Sequence, residues 1–385
     1  MAPKNTFRFN ITLSVKILIS FFLIFIPVDA QIQTKNEPRQ FLVSNPLARC
    51  PLVLTDQAIN ILNASDNSPV VYYSYPDGQL EALDLQTKSK IWRTELGSKM
   101  SSESILDKSE NKTLFIITES NPIVIWAINA ETGITKWRIS VSALRSEESF
   151  LYVFQNTLIV VCNSGKIFSI DKNSGSINWN QSISSPFISN PSFIDDRVFL
   201  SITGNKIIVI ALKDGATLMQ FNTSATPYKL LALNKKELIW TDKTGKLFNR
   251  DNLKFRAGAE ITYLNLTSNG VLIASNDNFL YLISNTNQKI LWKKKLAGRI
   301  FPKPLIVDSF AVVAVSGESE FLVVDLNSGK IINSMAIENG IFFTEDFFIA
   351  SDKLFTPTTK GLLAFASTVD ECFLKMNEGD KKRRL

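Results

Sequence analysis

Alternation of apolar and polar residues predicts a β-hairpin in residues 78–92. Leu80 and Ala82 alternate with polar residues along a first strand, and the polar stretch that follows has the composition of a turn. A second strand begins with Ile91 and Trp92. We therefore interpret the segment as a hairpin whose second strand carries an aromatic anchor.

The same pattern recurs at a regular spacing along the chain. In each copy the turn position lies eight residues before the anchor position, and four copies have tryptophan at the anchor: Trp92, Trp137, Trp179 and Trp292. The fifth copy, at Asp251, has lost its anchor. The eight turn positions are 84, 129, 171, 211, 251, 284, 325 and 367.

This repeat predicts an all-β fold, a single β-propeller of four-stranded blades. The interval between turn positions averages about 40 residues, which is the length of a four-stranded propeller blade. A ring of such blades covers the faces of every sheet and removes free edges. We expect eight blades, with seven as the alternative because the interval from position 251 to position 284 is only 33 residues.

The N-terminal residues predict export. An apolar run at 17–28 follows basic residues, and small residues at 28–30 resemble a cleavage site. An uncleaved anchoring segment is the alternative. The predicted organisation is a signal peptide at 1–30, a polar leader at 31–48, the propeller at 49–376 and a basic disordered tail at 377–385. It implies the secretory pathway and an extracytoplasmic location, whether secreted, cell-surface or periplasmic.

The formal net charge of +6 is concentrated at the two ends of the chain. Three basic residues and one acidic residue lie in the predicted signal, and the chain ends with Lys381, Lys382, Arg383 and Arg384. The propeller is close to neutral, so we expect no nucleic-acid partner. The tail is expected to be solvated, with contact to anionic lipid or to a partner as the alternative.

The chain contains no histidine. This absence removes the usual general base near neutral pH, the usual zinc ligand and every nucleophile that is paired with histidine. Among the three cysteines, Cys162 lies in an apolar strand pattern and is expected to be buried. Cys50 and Cys372 flank the repeats, whose ends meet in a closed ring, so we expect a disulfide between them.

The repeated motif residues have structural roles in this interpretation. Asp84, Asp171 and Asp325 lie at hairpin entrances, where a carboxylate caps backbone amides of the turn; a ring of acids is the alternative. The four tryptophan anchors are expected to pack one blade against the next. Trp126 and Trp240 do not follow the repeat, and burial is favoured for them over exposed contact with a partner.

Five Asn-x-Ser/Thr sequences follow the predicted signal and are candidates for N-glycosylation in a eukaryotic host. A chain this rich in Asn, Ser and Thr contains about that many by chance. They therefore permit glycosylation without demonstrating it. The five are Asn63, Asn111, Asn180, Asn222 and Asn265.

The motif Gly-x-Leu-x-Ala-Leu-Asp-x-x-Thr-Gly-x-x-x-Trp, read in residues 78–92, 123–137 and 165–179, resembles the repeat of pyrroloquinoline-quinone-like (PQQ-like) propellers. The resemblance covers essentially the whole chain after the signal and implies the propeller fold. That repeat is shared by quinoprotein dehydrogenases, by the bacterial outer-membrane assembly propeller lipoprotein, by luminal domains of unfolded-protein sensors and by plant gamete-expressed propeller proteins. We place this chain in the non-enzymatic branch.

The enzymatic branch implies a cofactor held between a tryptophan and two adjacent cysteines, together with calcium on oxygen ligands. This chain has no adjacent cysteines and is shorter than those enzymes. Asp195, Asp196 and residues 276–278 have the oxygen atoms that calcium requires, but they lie between predicted strands, where such residues form turns. We therefore expect no cofactor, no metal and no catalytic residue.

The sequence leads to a non-catalytic, exported propeller that acts as a protein-interaction scaffold on the extracytoplasmic side. We expect a monomeric propeller with protein partners, and peripheral membrane association is left open. A quinoprotein-type dehydrogenase or quinone-binding protein is one alternative. A plant cell-surface propeller with a role in cell-cell signalling or reproduction is the other.

Overall fold

The structure, a computed structural model, describes residues 40–43, 47–50, 60–64, 69–109, 112–141, 149–350, 352–369 and 372. These residues belong to one compact unit that spans Arg39–Leu385. The predicted signal peptide at 1–30 and the predicted tail at 377–385 lie outside the described residues. In the part that is described, no helix has the length and apolar character needed to span a membrane.

Eight antiparallel sheets of four strands follow one another along the chain, and we number them blades 1–8. Strand β1 (Ala48–Arg49) belongs to blade 8. Blades 1–4 contain β2 (Asn60–Ala64), β3 (Val70–Ser74), β4 (Gln79–Asp84), β5 (Ser89–Glu95); β6 (Met100–Asp107), β7 (Thr113–Thr118), β8 (Ile123–Asn129), β9 (Thr135–Val141); β10 (Ser149–Phe154), β11 (Thr157–Cys162), β12 (Lys166–Asp171), β13 (Ile177–Ser182); and β14 (Ser192–Ile194), β15 (Arg197–Ile202), β16 (Lys206–Ala211), β17 (Thr217–Asn222).

Blades 5–8 continue the same order. They contain β18 (Lys229–Ala232), β19 (Leu238–Thr241), β20 (Lys246–Asn249), β21 (Asn252–Arg256); β22 (Ile261–Thr267), β23 (Gly270–Ser275), β24 (Phe279–Ile283), β25 (Ile290–Lys295); β26 (Leu305–Val307), β27 (Phe310–Ala314), β28 (Glu320–Asp325), β29 (Ile331–Ala336); and β30 (Phe348–Ala350), β31 (Lys353–Thr358), β32 (Gly361–Ala366) with β1. The predicted eight-bladed β-propeller is confirmed, and the alternative of seven blades is wrong.

The first strand of each blade lies nearest the axis of the ring. First strands of neighbouring blades contact one another, as β2 does with β6 and β18 with β22. The middle strands are almost continuously apolar because neighbouring blades cover both of their faces. In β11 five of six residues are buried, including Cys162, whereas the outer strand β13 has no buried residue. The core is therefore a series of layers between blades.

Blade 8 closes the ring with strands from both ends of the chain. Ala48 pairs with Ala366 and Arg49 with Phe365, as expected for an N-terminal strand that completes the last blade. The 3₁₀ helix Gln40–Val43 precedes this strand. Leu42 is fully buried in a cluster that joins blades 7 and 8. The predicted leader at 31–48 is therefore too long, because Leu42 and Leu47 belong to the core.

Blade 5 has a shortened outer hairpin. Asn249 pairs with Asn252 across a two-residue turn, so the hairpin begins at Asn249 and the predicted turn position at Asp251 is wrong. A β-bulge interrupts the pairing of β20 with β21, and Phe255 is the first paired residue after it. The tryptophan anchors have the same place after a bulge, as Trp292 does in blade 6. The ring of Phe255 lies 5.1 Å from that of Tyr281 in blade 6. In blade 5, phenylalanine thus replaces the tryptophan anchor, and it lies closer to the turn position than the eight residues found in the other copies.

The two tryptophans outside the repeat are buried, so their alternative interpretation as exposed contact residues is wrong. Trp126 is 7% exposed, and the Arg138 guanidinium lies 5.2 Å from the centre of its ring. Trp240 is fully buried and stacks on Phe248 at 4.1 Å between centroids. Its Nε1 donates to a backbone carbonyl of the short blade-5 turn. Trp240 therefore helps to fill the shortened blade.

The antiparallel order gives the ring two different faces. We call one the turn face, because it contains the turns between third and fourth strands, such as 84–89 and 284–289. We call the other the connection face, because it contains the chain segments between blades and the loops between second and third strands. Segments 296–304 and 337–347 lie on the connection face.

Candidate functional site

The three repeated carboxylates cap turns on the turn face. In each case the carboxylate accepts hydrogen bonds from the next residues of its own turn, at 2.7 to 3.0 Å. The bond from the Ser174 amide is the main reason that the pKa of Asp171 lies below its usual value. The donors are Gln86 and Thr87 for Asp84, Asn173 and Ser174 for Asp171, and Asn327 and Ser328 for Asp325.

Each tryptophan anchor donates a hydrogen bond from Nε1 to a backbone carbonyl of the following blade. The bonds are 2.8 to 3.1 Å long, and they join the outer strand of one blade to the turn of the next. The donor and acceptor pairs are Trp92 with Ala130, Trp137 with Lys172, Trp179 with Lys213, and Trp292 with Leu326. These side chains thus tie neighbouring blades together, as predicted for packing anchors.

Glycine occupies the turn below each of these tryptophans. At Gly133, Gly175, Gly215 and Gly329 a Cβ atom would come within 2.8 Å of the indole, and φ is positive. Lys88 and Gln288 take the same turn position with positive φ in blades 1 and 6. No tryptophan precedes those two turns, because blade 8 contributes only the short strand β1 and blade 5 has Phe255. The glycine is thus required by the indole as well as by the turn.

Three of the predicted glycosylation positions are accessible on outer or inner strands. Asn180, Asn222 and Asn265 are exposed, and Asn265 Nδ2 donates to the hydroxyl of Tyr263 at 3.0 Å. Asn111 lies outside the described residues, and only the backbone of Asn63 is described. Glycosylation at the five positions stays a prediction.

Cys50 and Cys372 lie together where the ring closes. Their sulfur atoms are bonded, at 2.06 Å, across a sequence separation of 322 residues. The Cys50 amide donates to the carbonyl of Ala364 in β32, so the bond lies beside the seam between β1 and β32. Cys162 is a buried cysteine of blade 3 that takes no part in the disulfide.

The carboxylates considered as calcium ligands are engaged in turns and ion pairs. Asp277 accepts hydrogen bonds from the amides of Gly258 and Phe279 and from the hydroxyl of Tyr281. Asp196 lies 3.1 Å from Lys235 Nζ. No group of three or more acidic or cysteine side chains within the described ranges is arranged to hold a metal ion.

A cavity of about 250 Å³ opens on the connection face between blades 7 and 8. Phe301 and Phe342 line it and are 48% and 40% exposed, which is unusual for such large apolar side chains. Phe343 lies beneath them and is buried. The carboxylate-bearing residue Glu318 lines the same cavity and is exposed. We call this the phenylalanine cavity.

A charged pair joins the two segments that form the phenylalanine cavity. Asp346 accepts a hydrogen bond from the backbone amide of Lys303 at 3.0 Å, and its other oxygen lies 3.2 Å from Lys303 Nζ. Lys303 is two residues after Phe301, and Asp346 is four residues after Phe342. The pair therefore links the two segments that carry the exposed rings.

A second cavity, of about 180 Å³, lies at the start of the inner strands of blades 4–7. Lys303 lines it from one side, and Tyr228, Lys229 and Tyr263 line it from the other blades. Burial raises the pKa of Tyr263 and of Tyr228, so both hydroxyls stay protonated and able to donate near neutral pH. Tyr228 is hydrogen-bonded to Glu260, and Lys303 Nζ is paired with Asp346. This channel cavity therefore offers chiefly the Tyr263 hydroxyl to an acceptor that enters it from the side of the inner strands.

Sequence reasoning missed both cavities. Phe301 and Phe342 lie in segments between blades, outside the strand alternation on which the repeat depends. Aromatic residues in such connections are a signal that could have identified them, because loops on a rigid scaffold often contain binding residues. Neither residue alone indicates a cavity, since the two are 41 positions apart.

The family model described as outer membrane protein assembly factor BamB matches residues 57–226 and 143–334. Two curated proteins with that description are similar to this chain. The protein of Yersinia pestis is 20% identical over 265 residues, which cover 67% of this chain and 62% of the relative. That of Shewanella oneidensis is 21% identical over 294 residues, which cover 74% and 66%. The chain spans slightly less than two thirds of the length of these relatives.

Several solved structures share the fold at low identity. The crystal structure of BamB from Moraxella catarrhalis has a TM-score of 0.59 and 17% identity, covering 83% of this chain and 97% of that one. The computationally designed Ika8 protein has a TM-score of 0.63 and 16% identity, covering 85% and 99%. Sqt1 of Saccharomyces cerevisiae has a TM-score of 0.63 and 10% identity, covering 81% and 96%. Such identities indicate the fold alone.

Proposed function

This chain belongs to the family described as outer membrane protein assembly factor BamB, and from that premise we propose a non-catalytic scaffold that holds protein partners on the extracytoplasmic side of a membrane. The names of its relatives describe assembly factors. In this proposal residues 1–30 are a signal that directs export, and the propeller acts as a monomer. The proposal includes peripheral association with the membrane.

The observation that carries the proposal is the phenylalanine cavity. Its volume of about 250 Å³ suits one or two large apolar side chains of a partner, which Phe301 and Phe342 would contact. The nearby Glu318 carboxylate favours a partner segment that has a cation next to its apolar residue. Phe343 packs into the core beneath the two rings, which anchors this part of the cavity to the blades.

The channel cavity extends the proposed docking face toward the axis. Its Tyr263 hydroxyl suits a backbone carbonyl or a carboxylate of an extended segment. Segment 301–303 lies between the two cavities, with Phe301 in one and Lys303 in the other. A single partner segment that crosses residues 301–303 can place an apolar side chain in the phenylalanine cavity and a hydrogen-bond acceptor in the channel cavity.

The experiment is affinity purification after crosslinking in the native compartment, with mass spectrometry of the captured proteins. A double variant, Phe301→Ser with Phe342→Ser, is compared with Ile134→Ser with Ile177→Ser. Ile134 and Ile177 are 68% and 49% exposed and belong to blades 2 and 3, so the control removes similar apolar surface elsewhere. We expect the cavity variant to recover a specific partner at least about tenfold less well and the control to recover it normally.

The same preparation separates the scaffold from the enzymatic alternative. Pyrroloquinoline quinone and calcium are added to the purified protein, with alcohols and sugars as substrates. We expect no oxidation. Oxidation that depends on quinone, or equal recovery of the partner by the wild type and the cavity variant, would overturn the proposal.

A further inference from the structure

Large apolar side chains are exposed along the outer rim of blades 4–6, near the turn face. Each is close to half exposed, between 47% and 54%. They lie at the beginnings of the outer strands β17, β21 and β25, so they form one band around this part of the ring. We call this band the rim patch, and its apolar residues are Leu218, Met219, Leu253, Ile290 and Leu291.

The short blade 5 explains why Met219 of the patch is uncovered. Met219 stands at the anchor position of blade 4, where a tryptophan would lie against the next turn. The blade-5 turn is too short to reach it; instead, Asp251 accepts a hydrogen bond from the Ser224 amide, beyond the end of β17. Five of the six residues of β17 are exposed. On the other side, Asn249 contacts Gln288 of blade 6, so the three turns are adjacent.

The rim patch is also strongly basic. The outer hairpins of blades 4–6, residues 211–222, 249–256 and 284–295, contain eight lysines and arginines and two aspartates. The corresponding hairpins of blades 1, 2, 3 and 7, residues 84–95, 129–141, 171–182 and 325–336, contain seven cations and five carboxylates. Positive charge is therefore concentrated on one side of a propeller that is close to neutral as a whole.

The cations of the patch are not neutralised within the described part of the chain. None of the eight has an ion pair there. The two aspartates already serve the backbone, since Asp214 accepts from the Ala216 amide and Asp251 from the Ser224 amide. Lys254 and Lys289 are exposed and each is next to an apolar residue of the patch. The surface presents free positive charge and apolar side chains together.

We infer that the rim patch binds the surface of an anionic phospholipid membrane. Lipid phosphates attract the ammonium and guanidinium groups, and the leucine, isoleucine and methionine side chains enter the boundary between headgroups and acyl chains. An acidic polypeptide would neutralise the cations but would leave the half-exposed aliphatic side chains without a matching environment. Charge complementarity and apolar surface together favour lipid.

This inference deepens the membrane association in the proposed function, and it gives the propeller an orientation. The rim patch lies toward the turn face, whereas the phenylalanine cavity opens on the connection face. A propeller bound to lipid through the patch keeps its docking face directed away from the bilayer. Lipid binding and partner capture then depend on different residues and can fail separately.

The test is sedimentation of the full-length protein, as its host processes it, with two kinds of vesicle. One contains phosphatidylcholine alone, and the other is an equal mixture of phosphatidylcholine and phosphatidylglycerol. Binding to the first is subtracted, which removes any contribution of the apolar segment 17–28. Lys254→Gln with Lys289→Gln is compared with Lys88→Gln with Lys330→Gln, a change of equal charge on blades 1 and 7. Leu253→Ser with Leu291→Ser tests the apolar part.

We expect binding to the anionic vesicles that weakens about 25-fold in the Lys254 and Lys289 variant and changes little in the Lys88 and Lys330 variant. The leucine variant should bind several-fold more weakly. Equal losses in the two lysine variants would overturn the inference, because they would indicate net charge alone. So would undiminished binding of the leucine variant, or failure to bind the vesicles while immobilised polyglutamate retains the protein through Lys254 and Lys289.

Discussion

Trp92 of blade 1 lies directly on Gly133 of blade 2, where a Cβ atom would come 2.6 Å from the indole ring. The indole Nε1 also donates to the carbonyl of Ala130, three residues before that glycine. One contact thus combines a packing requirement with a hydrogen bond. It repeats between three further pairs of blades and accounts for the periodic glycine and tryptophan of the sequence.

Gly133→Ala should destabilise the protein by about 2–4 kcal/mol, because the methyl group meets the indole and the residue has positive φ. Gly204→Ala is the matched control, since Gly204 also has positive φ but has no atom near the place of its Cβ. We expect the control to cost about 1 kcal/mol. Equal losses in the midpoint of chemical denaturation for the two variants would contradict the role given to the indole.

The ion pair between Asp107 and Lys172 should make stability depend on pH. Its atoms are 2.8 Å apart, and the two side chains are 11% and 14% exposed. Burial tends to raise the pKa of Asp107, but hydrogen bonds from Lys172 and Ser109 outweigh it and lower the pKa below the usual 3.8. The carboxylate therefore stabilises the fold above the unfolded pKa, and this contribution is lost as pH falls through the folded value.

Asp107→Asn should accordingly cost about 1–3 kcal/mol at neutral pH, with a difference from the wild type that narrows below about pH 4. Denaturation measured across a pH series checks this. Glu131→Gln is the control, because the pair of Glu131 with Lys112 is more than half exposed and is expected to contribute less than about 1 kcal/mol. A loss at Asp107 that is independent of pH would refute the ionic explanation.

Only one thiol should react with an alkylating reagent when the protein is unfolded without a reductant. Cys162 takes no part in a disulfide, whereas Cys50 and Cys372 are joined. After reduction three thiols should react, and Cys372→Ser should lower the stability by up to about 5 kcal/mol, because the bond closes a loop of more than 300 residues. Mass spectrometry of the alkylated protein gives the count directly, and three reactive thiols before reduction would disprove the bond.

Leu42→Ala should cost about 2–4 kcal/mol even though Leu42 precedes the repeats. Its side chain is fully buried, and Asn333 of blade 7 donates to its carbonyl. The neighbouring Val43 is 41% exposed, so Val43→Ala should change the free energy of unfolding by less than about 0.5 kcal/mol. Similar small effects at both positions would restore the predicted leader boundary at residue 49.

The features that the sequence predicts correctly depend on contacts within one hairpin or between adjacent hairpins. Asp84 and Trp92 act within one hairpin or between adjacent hairpins, so their pattern repeats and is visible without a structure. Phe255 was overlooked because a shorter turn breaks the spacing of eight residues. Leu42 was assigned to the leader because its polar neighbours dominate the segment, although a single buried leucine suffices to fix it.

The phenylalanine cavity is formed by residues that are far apart in the sequence, so the repeat pattern does not predict it. Phe301 and Phe342 belong to successive connections and meet only through the packing of blades 7 and 8. The exposure of Met219 results from a missing tryptophan and a shortened turn, and the sequence shows only the lost anchor near Asp251. Their combination on adjacent outer strands became apparent only in three dimensions.

The pairing of β1 with β32 has a consequence for the order of events during synthesis. Residues 48 and 49 leave the ribosome among the first of the propeller, but their partners at 365 and 366 are among the last. Blades 1–7 can stack as they emerge, each on its predecessor, like the coils of a solenoid. The circle can be completed only when nearly the entire polypeptide is available. Until then blade 1 exposes an apolar face that blade 8 will cover, and β32 lacks its partner β1. A truncated chain or one stalled late in translation is therefore expected to be captured by chaperones or to aggregate.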